Sequence, residues 1–116
     1  MTPTDEQLIK WSAEVLMGWA VDAQKRYYIT TNEPPYGNLK IKSDILGWNP
    51  LDKNDQIWDC VEKMRERGYL LRFSVWSDEY QAWFTTNLKA YPDYYNNNHC
   101  RAILLAAWRA VEGEKL

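Results

Sequence analysis

Residues 49–86, NPLDKNDQIWDCVEKMRERGYLLRFSVWSDEYQAWFTT, change from a helical period to a strand period within one stretch. In the first half, apolar residues recur every three or four positions, which predicts an amphipathic helix. The buried stripe of this helix is expected to consist of Ile57, Trp58, Val61 and Met64. Asp52 or Asn54 is suited to cap its start, and Gly68 to end it.

The second half of the stretch predicts a β-hairpin. In residues 69–76 the apolar side chains alternate, so that one face of a strand would carry Leu71, Phe73 and Val75. Residues 77–79, SDE, are suited to a tight turn, and residues 80–86 read as the returning strand. A helix followed directly by a hairpin is therefore the expected centre of the fold.

Helices are also predicted near both ends of the chain. Thr4 and Gln7 fit a capping box, and the apolar spacing behind them predicts a helix over residues 5–18 that Gly18 terminates. A third helix is expected to run up to Gly113, with an apolar stripe of Ile103, Leu104, Ala107, Trp108 and Val111.

The remaining segments complete the expected fold. Residues 27–30, YYIT, predict a short strand, and residues 31–38 a loop. NLKIKS, residues 38–43, is interpreted as a strand edge whose lysines discourage further pairing. The predicted order is α-β-α-β-β-α, which indicates one α+β domain over residues 1–116 with a small antiparallel sheet.

Composition and charge indicate a cytoplasmic globular protein. Lys and Arg number 14 against 16 Asp and Glu, a net charge of −2, so binding of nucleic acid or membranes through charge alone is not expected. The apolar run AILLAAW is too short to cross a bilayer, and the polar start MTPTDEQLIK lacks the features of a secretory signal. Cys60 and Cys100 are isolated and expected to be reduced.

Three segments of the chain resemble the phage ABA sandwich domain, a family of small phage and prophage proteins. They are LIKWSAEVLMGW (8–19), GWNPLDKNDQIWDCVEKMRERGY (47–69) and RAILLAAWRAVEG (101–113). The resemblance implies a three-layer α-β-α sandwich and a protein acting in the host cytoplasm during infection. Its motifs are packing motifs, and no catalytic residue of the family can be carried over to this chain.

The one segment that resembles a reaction centre is YYNNNHCRAI, residues 94–103. His99 and Cys100 are neighbours in sequence, and adjacent side chains diverge at the start of a helix, whereas a Cys–His nucleophile needs them to face each other. Asn97 or Asn98 is suited to cap the helix, and Cys100 falls on its apolar stripe. We therefore predict a helix start here. One histidine and two distant cysteines also make no metal site.

Seven Trp and eight Tyr are more aromatic residues than one small core requires. Trp11, Trp19, Trp58 and Trp108 lie on or beside helical apolar faces and are expected mostly in the core. Rigid aromatic side chains outside it suit either a pocket that stacks a planar ligand or a protein interface. The expected ligand-binding residues are Trp48, Arg72, Trp76, Trp83, Tyr94, Tyr95, Asn96 and Arg101.

The acidic residues on the central helix are interpreted as a solvated face. They are Asp52, Asp55, Asp59 and Glu62. Since no catalytic set is visible, the expected function is a non-catalytic phage protein that sequesters a nucleotide-type signal of host immunity, without cofactor or metal. Two alternatives stay open, a module that docks on a host or phage protein and a small nucleotide hydrolase. An aromatic surface also fits a homo-oligomer.

Overall fold

The computed structural model describes residues 2–113 of the chain. These residues contain three α-helices and six short strands, joined by loops and one π-helical turn. The helices are α1 (Asp5–Trp11), α2 (Asn54–Glu66) and α3 (His99–Gly113). The strands are β1 (Ala20–Val21), β2 (Tyr27–Thr30), β3 (Lys40–Asp44), β4 (Leu70–Val75), β5 (Tyr80–Thr85) and β6 (Tyr94–Asn96). The predicted α+β class is confirmed.

The strands form two antiparallel sheets, ordered β1-β2-β3 and β4-β5-β6, where one small sheet was predicted. The predicted order lacks β1, β3 and β6. β1 and β6 are 2 and 3 residues long, too short to show a strand period. β3 corresponds to the strand edge interpreted at residues 38–43, which the predicted order did not count as an element. β3 does lie at a sheet edge, as its lysines indicated.

The capping box at the start of α1 is confirmed. The Thr4 hydroxyl accepts from the Gln7 amide at 3.2 Å, and the Gln7 side chain accepts from the Thr4 amide at 2.8 Å. A π-helical turn, Ser12–Leu16, continues the helix, and its wider spacing shows in the Met17 amide, which donates to the Ser12 carbonyl at 2.9 Å. The helical segment ends at Leu16, two residues before the predicted end at residue 18. Gly18 follows in the left-handed conformation, with φ +74°, as expected of the terminating residue.

The predicted cap and stripe of α2 need correction. Lys53 occupies the N-cap position without a side-chain hydrogen bond, so neither Asp52 nor Asn54 caps the helix. The buried residues are Ile57, Cys60 and Met64. Trp58, one position and about 100° away from Ile57, is 43% exposed. Gly68, at φ +93°, follows the helix as predicted.

The core is built around α3. Every residue from Ala102 to Ala107 is buried, because the helix contacts β5, β6, α2 and α1. Two β5 side chains, Ala82 and Phe84, are fully buried. α3 therefore packs on the face of the second sheet that carries these two residues. No helix within residues 2–113 is long and apolar enough to cross a membrane.

Candidate functional site

The second sheet has one face against the core and one face away from it. Opposite residues of an antiparallel ladder share a face, and successive residues alternate. Leu71 lies opposite Phe84 and Phe73 opposite Ala82, which defines the inner face. Leu70, Arg72, Ser74 and their β5 partners consequently point the other way.

We call this second surface the outer face. It consists of Leu70, Arg72, Ser74, Gln81, Trp83, Thr85 and Tyr95, with Trp76 at its end. Arg72 lies directly opposite Trp83, and Tyr95 lies opposite Gln81. Four of the eight predicted ligand-binding residues, Arg72, Trp76, Trp83 and Tyr95, are thus brought onto one surface. The period-two pattern of the hairpin strands places Arg72, Trp76 and Trp83 there, and the pairing of β6 with β5 places Tyr95.

A chain of side-chain hydrogen bonds orders one end of the outer face. The Trp76 indole N–H donates to Gln81 Oε1 at 3.1 Å, and Gln81 Nε2 donates to Asp93 Oδ2 at 2.8 Å. Trp76 is 54% exposed, so its ring is oriented without being buried. Arg72 has no carboxylate partner in the described part of the chain, which leaves its guanidinium free to bind. Gln81 and Asp93 were not predicted; Asp93 carries no sequence signal.

The other four predicted residues do not join this surface. Tyr94 and Asn96 lie opposite Ala82 and Tyr80, on the inner side of β6. Arg101 forms an ion pair with Asp5, which ties α3 to α1.

Trp48 belongs to the core. It is 4% exposed, its Nε1–H donates to Ser12 Oγ at 2.9 Å, and its ring meets Trp19 edge-on with centroids 4.8 Å apart. The expected single site of eight residues is therefore not formed.

A separate cleft of about 890 Å³ lies between α2, the π-helical turn and the first sheet. Its α2 wall carries the acidic residues Asp55, Asp59, Glu62 and Glu66, and further charged lining comes from Glu33, Lys42, Lys63 and Arg67. The prediction of a solvated acidic face is confirmed, because Asp52, Asp55, Asp59 and Glu62 are all exposed. Three of them, Asp55, Asp59 and Glu62, also line this open cleft.

The carboxylates of the cleft are only partly neutralised. Lys42 pairs with Glu33 at 2.7 Å and Lys63 with Glu66 at 3.5 Å. Burial, and then the negative charge of Asp55, raise the pKa of Asp59 against the opposing effect of Lys42. Within residues 2–113 no group of three or more His, Cys, Asp and Glu is placed to hold a metal ion.

His99 and Cys100 lie closer together than the sequence predicted. Cys100 Sγ is 3.5 Å from His99 Nε2, so the side chains do not diverge. The same nitrogen also contacts Asn54 Oδ1 at 2.7 Å, and one ring nitrogen cannot both donate to that oxygen and accept a thiol proton. Burial raises the pKa of Cys100, the opposite of what a nucleophilic thiolate needs.

We expect neither cysteine to react with iodoacetamide in the folded protein at neutral pH. Both thiols are buried, and burial raises the pKa of each. Mass spectrometry after labelling should show no adduct in buffer and two adducts in denaturant. Rapid labelling of Cys100 alone in the native protein would restore the nucleophile interpretation.

The helix-start prediction for residues 94–103 is confirmed at Asn98. Its Oδ1 accepts from the amides of Cys100 at 2.9 Å and Arg101 at 3.3 Å, and its Nδ2 donates to the Leu51 carbonyl at 3.2 Å.

Asn98→Ala is expected to lower the free energy of unfolding by about 0.5–2 kcal/mol, because the cap on α3 is lost. Asn97→Ala, at the exposed neighbour, should change it by at most about 0.5 kcal/mol in urea unfolding. Equal losses would contradict the cap assignment.

Comparison of the chain with protein-family models, with characterised proteins and with solved structures gives no match. The resemblance to the phage ABA sandwich family therefore stays a prediction.

Proposed function

We propose that this chain is a non-catalytic binding protein whose binding surface is the outer face of the β4-β5-β6 sheet. The observation that carries the proposal is the placement of Arg72, Trp76, Trp83 and Tyr95 on one exposed face. Trp, Tyr and Arg are the residue types that dominate binding energy at protein interfaces. The hydrogen bonds that orient Trp76 hold its ring in place before binding, so that less side-chain conformational entropy is lost when a partner binds.

The shape of the outer face favours a protein partner over a small molecule. A small ligand gains affinity in a concave site that buries most of its surface. The outer face is instead one side of a three-stranded sheet, and the cleft of about 890 Å³ is lined by residues of other elements. We therefore favour docking on a host or phage protein over the function expected from the sequence, sequestration of a nucleotide-type signal. Arg72 opposite Trp83 still offers a phosphate partner beside a stacking ring, so nucleotides belong in the test.

The cleft supports the hydrolase alternative as a second candidate function. Such an enzyme requires two carboxylates in one cleft, and Asp55 and Asp59 line the same one. Burial, and then the negative charge of Asp55, raise the pKa of Asp59, which is the direction that a general acid requires. Lys63 and Arg67 stand in the same lining as candidate phosphate contacts. This candidate predicts turnover of a nucleotide that Asp59→Asn abolishes.

The phage origin and the three-layer order accompany the proposal as predictions. α3 and α2 both contact the second sheet, α3 through β5 and α2 through β4, which supplies two adjacent layers of such a sandwich. The α-β-α order would place one sheet between two layers of helices, and an experimental structure with helices on only one face of each sheet would contradict it.

The test of the proposed function compares matched aromatic variants. Tagged wild-type protein and the variants Trp83→Ala, Tyr95→Ala and Trp58→Ala are used to capture proteins from infected and uninfected bacterial lysates. Trp58 is the matched control because it is an exposed tryptophan on α2, outside the outer face. A protein retained by wild type and Trp58→Ala but lost with both outer-face variants is expected.

Nucleotides are tested on the same four proteins and on Asp59→Asn, by native mass spectrometry and by product analysis. A stoichiometric adduct that is lost in Trp83→Ala and released unchanged would replace protein docking with sequestration. Multiple turnovers that survive Trp83→Ala and disappear in Asp59→Asn would replace it with the hydrolase. Partner loss in Trp58→Ala as well would show that the outer face is not the specific surface.

A further inference from the structure

β4 exposes one edge of the second sheet, because the strand order β4-β5-β6 gives it a neighbour on one side only. The Trp76 amide donates to the Glu79 carbonyl at 2.9 Å, which makes these two residues a hydrogen-bonded pair and so fixes which residues of β4 bond to β5. Since hydrogen-bonded residues alternate along an antiparallel strand, Leu70, Arg72 and Ser74 direct their backbone groups at β5. Leu71, Phe73 and Val75 direct theirs at the open edge.

The hydrogen bonds on the side of β5 that faces away from β4 agree with this assignment. The Tyr91 amide donates to the Phe84 carbonyl at 3.0 Å, so even-numbered residues of β5 bond away from β4. On the open edge of β4, the turn, loop and cap bonds of the backbone within residues 2–113 do not reach Leu71, Phe73 or Val75. The side-chain bonds to backbone atoms in these residues end elsewhere as well. Three amides and three carbonyls thus stand ready for another strand.

The remaining sheet edges are poor sites for pairing. β1 has two residues and β6 three, too few for a stable ladder. β3 has five, but two are Lys40 and Lys42, and lysine on an edge strand discourages pairing. β4 has six residues, and Arg72 is its single charge. Val75, at its end, is 70% exposed although it is apolar.

We infer that β4 pairs antiparallel with β4 of a second copy of this chain, with Phe73 opposite the partner's Phe73. In this register the hydrogen-bonded pairs are Phe73 with the partner's Phe73 and Leu71 with the partner's Val75. These pairs join residues whose backbone groups face the open edge, as an antiparallel ladder requires. On the outer face, Arg72 lies opposite the partner's Ser74, and Leu70 opposite the partner's Trp76.

Two neighbouring registers satisfy the same backbone rule and are less favourable. Pairing centred on Arg72 sets two guanidinium groups opposite each other, which is destabilising. Pairing centred on Ser74 leaves Leu71 opposite a residue beyond the partner's strand and so shortens the ladder. Only the register centred on Phe73 pairs Leu71, Phe73 and Val75 fully while covering the exposed side chains of Leu70 and Val75 with apolar neighbours.

The consequence is a six-stranded sheet with one continuous outer face. The two-fold arrangement uses the same edge of both copies, so it closes after two chains. The two copies of Arg72, Trp76, Trp83 and Tyr95 then form a single surface. Trp83 and Tyr95 lie on β5 and β6, away from the paired edge. The dimer can therefore form even if the proposed docking function is wrong, and the converse also holds.

The first test is the mass in solution. Light scattering coupled to size-exclusion chromatography should give twice the 13.8 kDa of one chain for the wild type and a single chain for Val75→Lys. Leu46→Lys is the matched control, because Leu46 is also an exposed apolar residue but lies outside β4. It should remain a dimer. A wild-type monomer at the highest soluble concentration, or dissociation by both substitutions, would overturn the inference.

The second test fixes the register. Phe73→Cys should form an interchain disulfide on mild oxidation, because residues of a hydrogen-bonded pair lie about 5.5 Å apart between Cα atoms, within disulfide reach. Val75→Cys is more exposed but lies about 14 Å from the partner's position 75, four residues along the strand, and should not cross-link. The reverse result would overturn the register, and the mass measurements decide on dimerisation if Phe73→Cys does not fold.

Discussion

Phe84→Ala is expected to lower the free energy of unfolding by about 3–5 kcal/mol. Phe84 is 0% exposed, lies opposite Leu71 on the inner face, and belongs to β5, the strand that contacts α3. Removing the ring leaves a cavity between the sheet and α3 that rigid neighbours on both sides cannot fill. Urea unfolding followed by circular dichroism measures the change.

Trp83→Ala is the matched control for Phe84→Ala. The two residues are adjacent in β5, but Trp83 faces outward opposite Arg72. Its truncation should lower the free energy of unfolding by about 1 kcal/mol or less, because the ring is only partly buried. The larger side chain is thus expected to produce the smaller loss. Comparable losses at both positions would show that the outer face is packed, and the proposed binding surface would be wrong.

The contrast between these neighbours follows from the sequence. The alternation in residues 69–76 and 80–86 predicted the hairpin, and a period of two assigns each side chain to one face. The observed register, Leu71 with Phe84 and Arg72 with Trp83, keeps that assignment. Local periodicity was therefore sufficient to bring Arg72, Trp76 and Trp83 together.

The parts of the fold that the sequence did not predict depend on distant partners. β6 reads as an Asn-rich loop and becomes a strand only because Tyr94 and Tyr95 pair with Ala82 and Gln81. The acidic cleft requires α2 to stand opposite Lys42 of the first sheet. Such contacts join residues far apart in the chain, where neither propensity nor spacing carries information.

Trp48 shows the same limit most clearly, because a tryptophan in a loop gives no sign of burial. Its hydrogen bond partner, Ser12, lies 36 positions away, in the π-helical turn. Ser12 Oγ is 2.6 Å from the Ile9 carbonyl, to which it donates, and it accepts from Trp48. The hydroxyl thereby joins α1 to the segment before α2.

Trp48→Ala is consequently expected to lower the free energy of unfolding by about 3–5 kcal/mol. The substitution removes a ring that is 4% exposed, its edge-on contact with Trp19 and the bond to Ser12. Differential scanning calorimetry and urea unfolding measure the loss. If the variant keeps wild-type stability and loses a ligand instead, Trp48 is a binding residue and its placement in the core is wrong.

Two smaller substitutions separate the hydrogen bond from the packing of Trp48. Ser12→Ala leaves the indole N–H buried without an acceptor and should cost about 1–3 kcal/mol. Trp48→Phe removes that donor together with part of the ring, while Ser12 keeps its bond to Ile9. In the double variant neither indole nor hydroxyl remains, so its loss should be smaller than the sum of the single losses. Strict additivity would mean that the bond does not hold these two segments together.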